Sequence, residues 1–234
     1  MKRLKKILWQ AFLIGILLLP LQSCLDDGYD KNAALLTIGT IHVIEDNDYY
    51  FELDEGTKMY PGDTTQLHNY HVVNGQRAFI YFTLLDEKIN GYDYNANISH
   101  IENILTKDIY YMPQEEEDSI GDDKINITEM WFTNNYLNIQ YQFYYSDNPE
   151  KKHMLNLIVN RNSNGETTEE ENDYITLEFR HNAYEDKQSK RGDGLVSFKL
   201  NEIEDMIKGK KGLNIRVKTL YDGIQYKKIN FIAP

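Results

Sequence analysis

After residue 34, apolar and polar residues alternate along most of the chain, the two-residue period of strands with one buried and one solvated face. In the first half the runs are short: "ALLTIGTIHVIE", "DYYFELDEGTKMY" and "GQRAFIYFTLLDEK". Asp54-Glu55-Gly56 lies between two of the apolar runs, where Gly56 can supply the positive φ of a hairpin turn. The third run is aromatic and β-branched on both faces, as a central strand is. In "ISHIENILTK", Ile98, Ile101 and Leu105 lie near helical spacing, so helix and strand both fit there. About five short strands in roughly 80 residues predict a small barrel or sandwich.

Alternation is cleaner in the second half. In "NYLNIQYQFYY", Leu137, Ile139, Tyr141, Phe143 and Tyr145 share one face and Asn138, Gln140 and Gln142 the other. In "DYITLEFRH", Ile175, Leu177 and Phe179 oppose Thr176, Glu178 and Arg180, and in "GLNIRVKTLY", Leu213, Ile215, Val217 and Tyr221 oppose Asn214, Arg216 and Lys218. Such strands, each wet on one face and separated by turns, predict a β-sandwich. One short helix interrupts them, with Asn201 as N-cap, Glu204 at the capping-box position and Lys208-Gly209-Lys210-Lys211-Gly212 as its close. Arg191-Gly192-Asp193 reads as a turn before "LVSFKL" rather than as an adhesion motif.

The first 23 residues break the pattern. A basic start (Lys2, Arg3, Lys5, Lys6), an apolar run from Ala11 to Leu19 stopped by Pro20, and the small residue Ser23 before Cys24 form a secretory leader. The run is about half of the roughly 20 residues that a membrane-spanning helix needs. Cys24 is the only cysteine, and "LQSC" resembles a lipoprotein processing site, which would make Cys24 the acylated first residue of a 211-residue mature chain. The mature chain then holds no free thiol, so cysteine chemistry contributes nothing to its function.

Charge is uneven: net −8 over residues 30–112, −5 over 113–125 and −1 over 126–234, within −12 for the whole. The middle block, "PQEEEDSIGDDK", has almost no apolar content and reads as a solvated linker. The expected organisation is therefore a leader 1–23, a tether 24–33, a first β domain 34–112, an acidic linker 113–125 and a sandwich 126–234.

The lipoprotein-like cysteine, "YYFELDEG", "GQRAFIYFTLLDE", "YDYNANISHIENILTKDI", "NNYLNIQYQF", "KKHMLNLIV", "LEFRHNAYED" and "GLVSFKL" together resemble the NigD-like lipoproteins of Bacteroidota. The resemblance covers nearly the whole chain. It implies a mainly all-β protein, an N-terminal OB-type barrel followed by a C-terminal β-sandwich with one short helix. The family takes its name from a bacteriocin locus, which makes immunity one role that the resemblance carries. Asp26 and Asp27 after Cys24 resemble a signal for export to the outer face of the outer membrane, with the periplasmic side as the alternative; as a plain tether they need only be solvated.

Candidate chemistry is sparse. An OB-type barrel can bind single-stranded nucleic acid, but a block of net −8 repels phosphate, so no nucleic-acid partner is expected. The 18 tyrosines include Tyr49-Tyr50, Tyr110-Tyr111 and Tyr144-Tyr145; neighbours on a strand face opposite ways, so one of each pair is expected in the core. His68 and His71 form a weak pair for a metal, with His100 following at a distance, and His153 and His181, at strand edges, read as structural. No G-x-S-x-G, phosphate loop or H-E-x-x-H occurs in the chain. The residues thus predict no catalytic site, metal or cofactor, and a lipid-anchored binding protein with a protein or glycan partner; a carbohydrate-binding surface lipoprotein is the alternative.

Overall fold

The computed structural model describes residues 33–45, 48–113, 116–146, 148, 150–160, 173–187 and 189–231. The leader, Cys24 and the tether lie outside the described residues. Barrel and sandwich both fall within one compact unit, Ala34–Pro234.

Five strands, β1 (Leu35–Glu45), β2 (Asp48–Leu53), β3 (Lys58–Asp63), β4 (Arg77–Leu84) and β5 (Tyr94–Asn103), close into a barrel in the order β1-β2-β3-β5-β4. The run expected to be central is β4, hydrogen-bonded on both sides, to β1 and to β5. Ile41, Phe51, Leu53, Met59, Ile80 and Ile98 turn inward and fill the barrel. Gly56 (φ 87°) sits in the β2–β3 turn, as the hairpin reading requires, and its N–H donates to the Leu53 carbonyl at 2.8 Å. The ambiguous "ISHIENILTK" is strand, because Ile98 and Ile101 close the barrel against β4.

The chain then enters the sandwich at once. β6 (Leu105–Asp108) pairs in parallel with β12 (Lys190–Lys199), and β7 (Tyr110–Met112) pairs in parallel with β10 (Met154–Asn160). Residues 105–112, expected in the first domain, therefore contribute one strand to each sheet of the second, with Ile109 buried in the sandwich core between them. The remaining strands are β8 (Asn126–Thr133), β9 (Tyr136–Tyr145), β11 (Tyr174–Asn182), β13 (Gly212–Lys218) and β14 (Ile224–Asn230). One sheet runs β14-β13-β11-β10-β7 and the other β6-β12-β9-β8. Leu137, Ile139, Leu157, Leu177, Phe179, Phe198, Leu213 and Ile215 meet between them, the inward members of the alternating runs. Tyr221 is the exception: it follows the end of β13 and is 68% exposed.

Within the expected linker, the described residues 116–125 form a strap across the sandwich. They carry a helical turn, α1 (Glu117–Ile120), and cover the outer face of the five-stranded sheet. Ile120 packs with Met112 and Ile158, and the Tyr110 hydroxyl donates to the Glu116 carboxylate. The Asp122 carboxylate receives both arms of Arg216, at 3.0 and 2.9 Å, and lies 3.4 Å from Arg180. Arg180 in turn pairs with Glu178 at 2.6 Å, and both are almost wholly buried. Glu178 and Arg180 are thus covered, although their side of the strand reads as wet. Composition alone describes a segment that cannot bury itself; it says nothing of arginines two strands away that can neutralise it.

A 3-10 turn, Asn201–Ile203, runs into α2 (Glu204–Ile207), so the short helix stands where expected. No side-chain cap forms at either start; Ile203 is buried and anchors the turn.

Candidate functional site

Barrel and sandwich are joined by a buried polar clasp. Arg77, at the start of β4, is fully buried, and its guanidinium grips the Asp54 carboxylate with two bonds of 2.5 and 2.9 Å. It also donates to Asn138 Oδ1 of β9 at 3.1 Å and lies 5.4 Å from the centre of the Tyr136 ring. Asp54 Oδ2 further accepts the indole N–H of Trp131 at 3.2 Å and the Thr133 hydroxyl at 3.1 Å. Ser197 donates to Asn138 Oδ1 at 2.7 Å. Asn138 belongs to the face that reads as wet, yet it is fully buried because the barrel sits on that end of the sheet. Asp54 reads only as a turn residue, and no sequence signal links it to Arg77, 23 positions away, or to Trp131 on another domain.

Beside the clasp opens a cleft of about 440 Å³ between the two domains. Phe79 and Glu102 line it from the barrel, and Trp131, Gln140, Tyr141 and Asp193 from the sandwich. Asp193 reaches this wall because Arg191-Gly192-Asp193-Gly194 is extended strand in β12, not a turn. The glycines are explained by aromatic rings across the ladder. A Cβ on Gly194 would lie 2.5 Å from the Tyr141 ring, and one on Gly192 2.9 Å from that of Tyr145.

Leu105 and Tyr141 also line a second cavity of about 380 Å³, walled by Phe143, Tyr145, His153 and His181. His153 Nδ1 and His181 Nε2 are 2.9 Å apart, His153 Nε2 is 3.0 Å from Asp186, and His181 Nδ1 is 3.1 Å from the Lys124 carbonyl. Carbonyl and carboxylate can only accept. His181 Nδ1 therefore donates to the Lys124 carbonyl and His153 Nε2 to the Asp186 carboxylate. The Ser146 hydroxyl and N–H both donate to Asp186, and these bonds, ahead of its contact with His153, hold that carboxyl well below the usual range. Burial pushes the His181 imidazole down. Ser146 thus bonds the carboxylate and not an imidazole. The chain of contacts ties three loops together at the end of the sandwich, a structural role, as read from the sequence for both histidines.

His68 and His71 are exposed in the loop after β3, and His100 is exposed beside Tyr81. Among the described residues no group of three or more His, Asp or Glu side chains is placed to hold a metal. Of the tyrosine pairs, Tyr49 is buried and Tyr50 half-exposed, as alternation requires. Tyr110 and Tyr111 are both half-buried, as are Tyr144 and Tyr145, since each pair stands where a sheet meets a covering loop or an open end. On the barrel's outer wall Tyr50 stacks on His42 and continues through Tyr92 to Tyr60, with ring centres 5.0, 5.7 and 5.1 Å apart. These rings cover one another and leave no flat platform.

Comparison with protein families matches the NigD-like N-terminal OB domain to residues 38–104 and the NigD-like C-terminal beta sandwich domain to residues 108–231. No curated protein matches the chain. Among solved structures, a protein described as toxin-related from Parabacteroides distasonis is 32% identical, with a TM-score of 0.69, covering 85% of this chain and 93% of that one. A NigD-like immunity protein from Bacteroides caccae is 15% identical, with a TM-score of 0.61 and the same coverage. A protein described as a lipoprotein from Bacteroides fragilis is 11% identical, with a TM-score of 0.60, covering 86% and 99%. The last two share the fold.

Proposed function

Since the chain belongs to the NigD-like family, we propose that it is a non-enzymatic envelope protein, lipid-anchored through Cys24, that acts by binding a macromolecular partner. The observation that carries this reading is the inter-domain cleft, whose half-buried rings and exposed carboxylates are suited to recognition and which adjoins the Arg77–Asp54 clasp through Trp131. Ser146, turned to a carboxylate, supports binding over acyl transfer. The names of the similar structures, an immunity protein and a lipoprotein, favour bacteriocin immunity as the setting and a lipid anchor as the attachment. No helix among the described residues is long and apolar enough to cross a membrane. Asp26 and Asp27 favour the outer surface of the outer membrane over its periplasmic face.

Two assays test the reading together. Cells lacking the gene are expected to become sensitive to a bacteriocin that the parent resists, with resistance restored by the complemented gene. The purified chain is expected to release no product from polysaccharides or peptides. Catalytic turnover, abolished by substitution of a cleft residue, would overturn it.

A further inference from the structure

We infer that the inter-domain cleft receives a cationic segment of a protein partner, with a lysine or arginine side chain entering between Glu102 and Asp193 above the rings of Trp131, Phe79 and Tyr141. This rests on the binding-protein reading and names the chemistry of its partner.

Glu102 comes from the barrel and Asp193 from the sandwich, so the two carboxylates face the cleft from opposite domains. Both are exposed, and neither has a hydrogen-bonding or ionic partner among the described residues. Elsewhere inward acids have partners: Asp54 has Arg77, Asp122 has Arg180 and Arg216, and Asp186 is hydrogen-bonded by Ser146 and His153. Among the described residues no lysine or arginine lines the cleft, so none of them fills that role for Glu102 and Asp193. Three aromatic side chains line the same cleft, a residue type whose rings attract a guanidinium or ammonium group. Gln140 adds an amide for the backbone of an extended segment.

The surroundings agree. Residues 30–112, which supply one bank, carry net −8, and the whole chain −12, a field that draws cations and repels anions. A neutral glycan could stack on Trp131, but it would leave both carboxylates without a counter-charge and would gain nothing from the field. The cleft, at about 440 Å³, holds one or two long side chains rather than a folded element.

The test uses random peptides displayed on phage, selected against the full chain and then synthesised for calorimetry. Selected sequences are expected to be rich in lysine and arginine and to bind less tightly as salt rises. The isosteric double variant Glu102→Gln with Asp193→Asn, which touches no internal bond, is expected to weaken them about tenfold or more while its thermal melt matches the wild type. Uncharged selected peptides, equal binding to the double variant, or saturable binding of neutral oligosaccharides alone would each overturn the inference. Bacteriocin protection separates the two levels. A double variant that still protects cells fully removes the cleft as the contact and leaves the binding-protein reading standing; loss of protection only on deletion of the gene speaks to that reading alone.

Discussion

Replacing Arg77 by alanine is expected to lower the free energy of unfolding by about 3–5 kcal/mol, the usual cost of removing one partner from a buried ion pair. The guanidinium is fully buried and bonds Asp54, Asn138 and Thr40 at once, so its loss removes one donor from each of three groups in the junction and leaves the Asp54 carboxylate without its counter-charge. Urea unfolding followed by the fluorescence of Trp131 measures this directly. Trp131 is the only tryptophan after the leader, and its indole bonds the same carboxylate. Arg77→Lys is expected to recover only part of the loss, because an ammonium cannot make the two-pronged bond to Asp54. Arg77→Met together with Asp54→Leu, which removes both charges, is expected to be closer to the wild type than Arg77→Ala alone. A loss below about 1 kcal/mol for Arg77→Ala, the range of an exposed pair, would show that the two domains do not depend on the clasp.

The second large effect is expected at Asp122. Its replacement by alanine strands Arg180 and Arg216 beside a single remaining acid, Glu178, and removes these ionic contacts of the strap with the sheet. The expected cost is about 2–3 kcal/mol, from the orphaned charged bonds. Burial alone would raise the Asp122 carboxyl, but the Arg216 hydrogen bonds and the charges of Arg180, Arg216 and Lys218 outweigh it and hold the group below its ordinary value. A carboxyl depressed in the folded state stabilises above its unfolded pKa of about 3.9 and loses that contribution as pH falls through the folded pKa. Wild type is therefore expected to lose stability below about pH 4, with Asp122→Ala showing a shallower fall over the same interval. Parallel pH curves for the two proteins would contradict the assignment. A strap that behaved as a linker would also tolerate Asp122→Ala at no cost.

Where a residue's role depends on its own strand, the sequence discloses it. Alternation places Leu137, Ile139, Leu177, Phe179, Leu213 and Ile215 in the sandwich core, and Gly56 marks the turn that it makes. Where a role depends on what covers the strand, the pattern misleads. Asn138, Glu178 and Arg180 share the polar faces of their strands and are buried, one beneath the barrel and two beneath the strap. The acidic strap reads as solvated because its counter-charges, Arg180 and Arg216, lie on β11 and β13. Arg191-Gly192-Asp193 reads as a turn because glycine favours turns; its glycines instead make room for Tyr141 and Tyr145 on the neighbouring strand. The cleft was the least legible feature, since Phe79, Glu102, Trp131 and Asp193 come from four strands and two domains and none of their local patterns differs from that of a plain surface strand.

The proposed role at the envelope rests on attachment through Cys24, and one measurement tests that proposal most directly: mass spectrometry of the N-terminal peptide of the mature chain, isolated from the membrane fraction. The expected peptide begins at Cys24, with acyl chains on its sulfur and amino group, and Cys24→Ala is expected to abolish both the cleavage and the membrane association. A mature chain that retains Ser23 before an unmodified Cys24, or that begins elsewhere and stays soluble, would contradict the anchor.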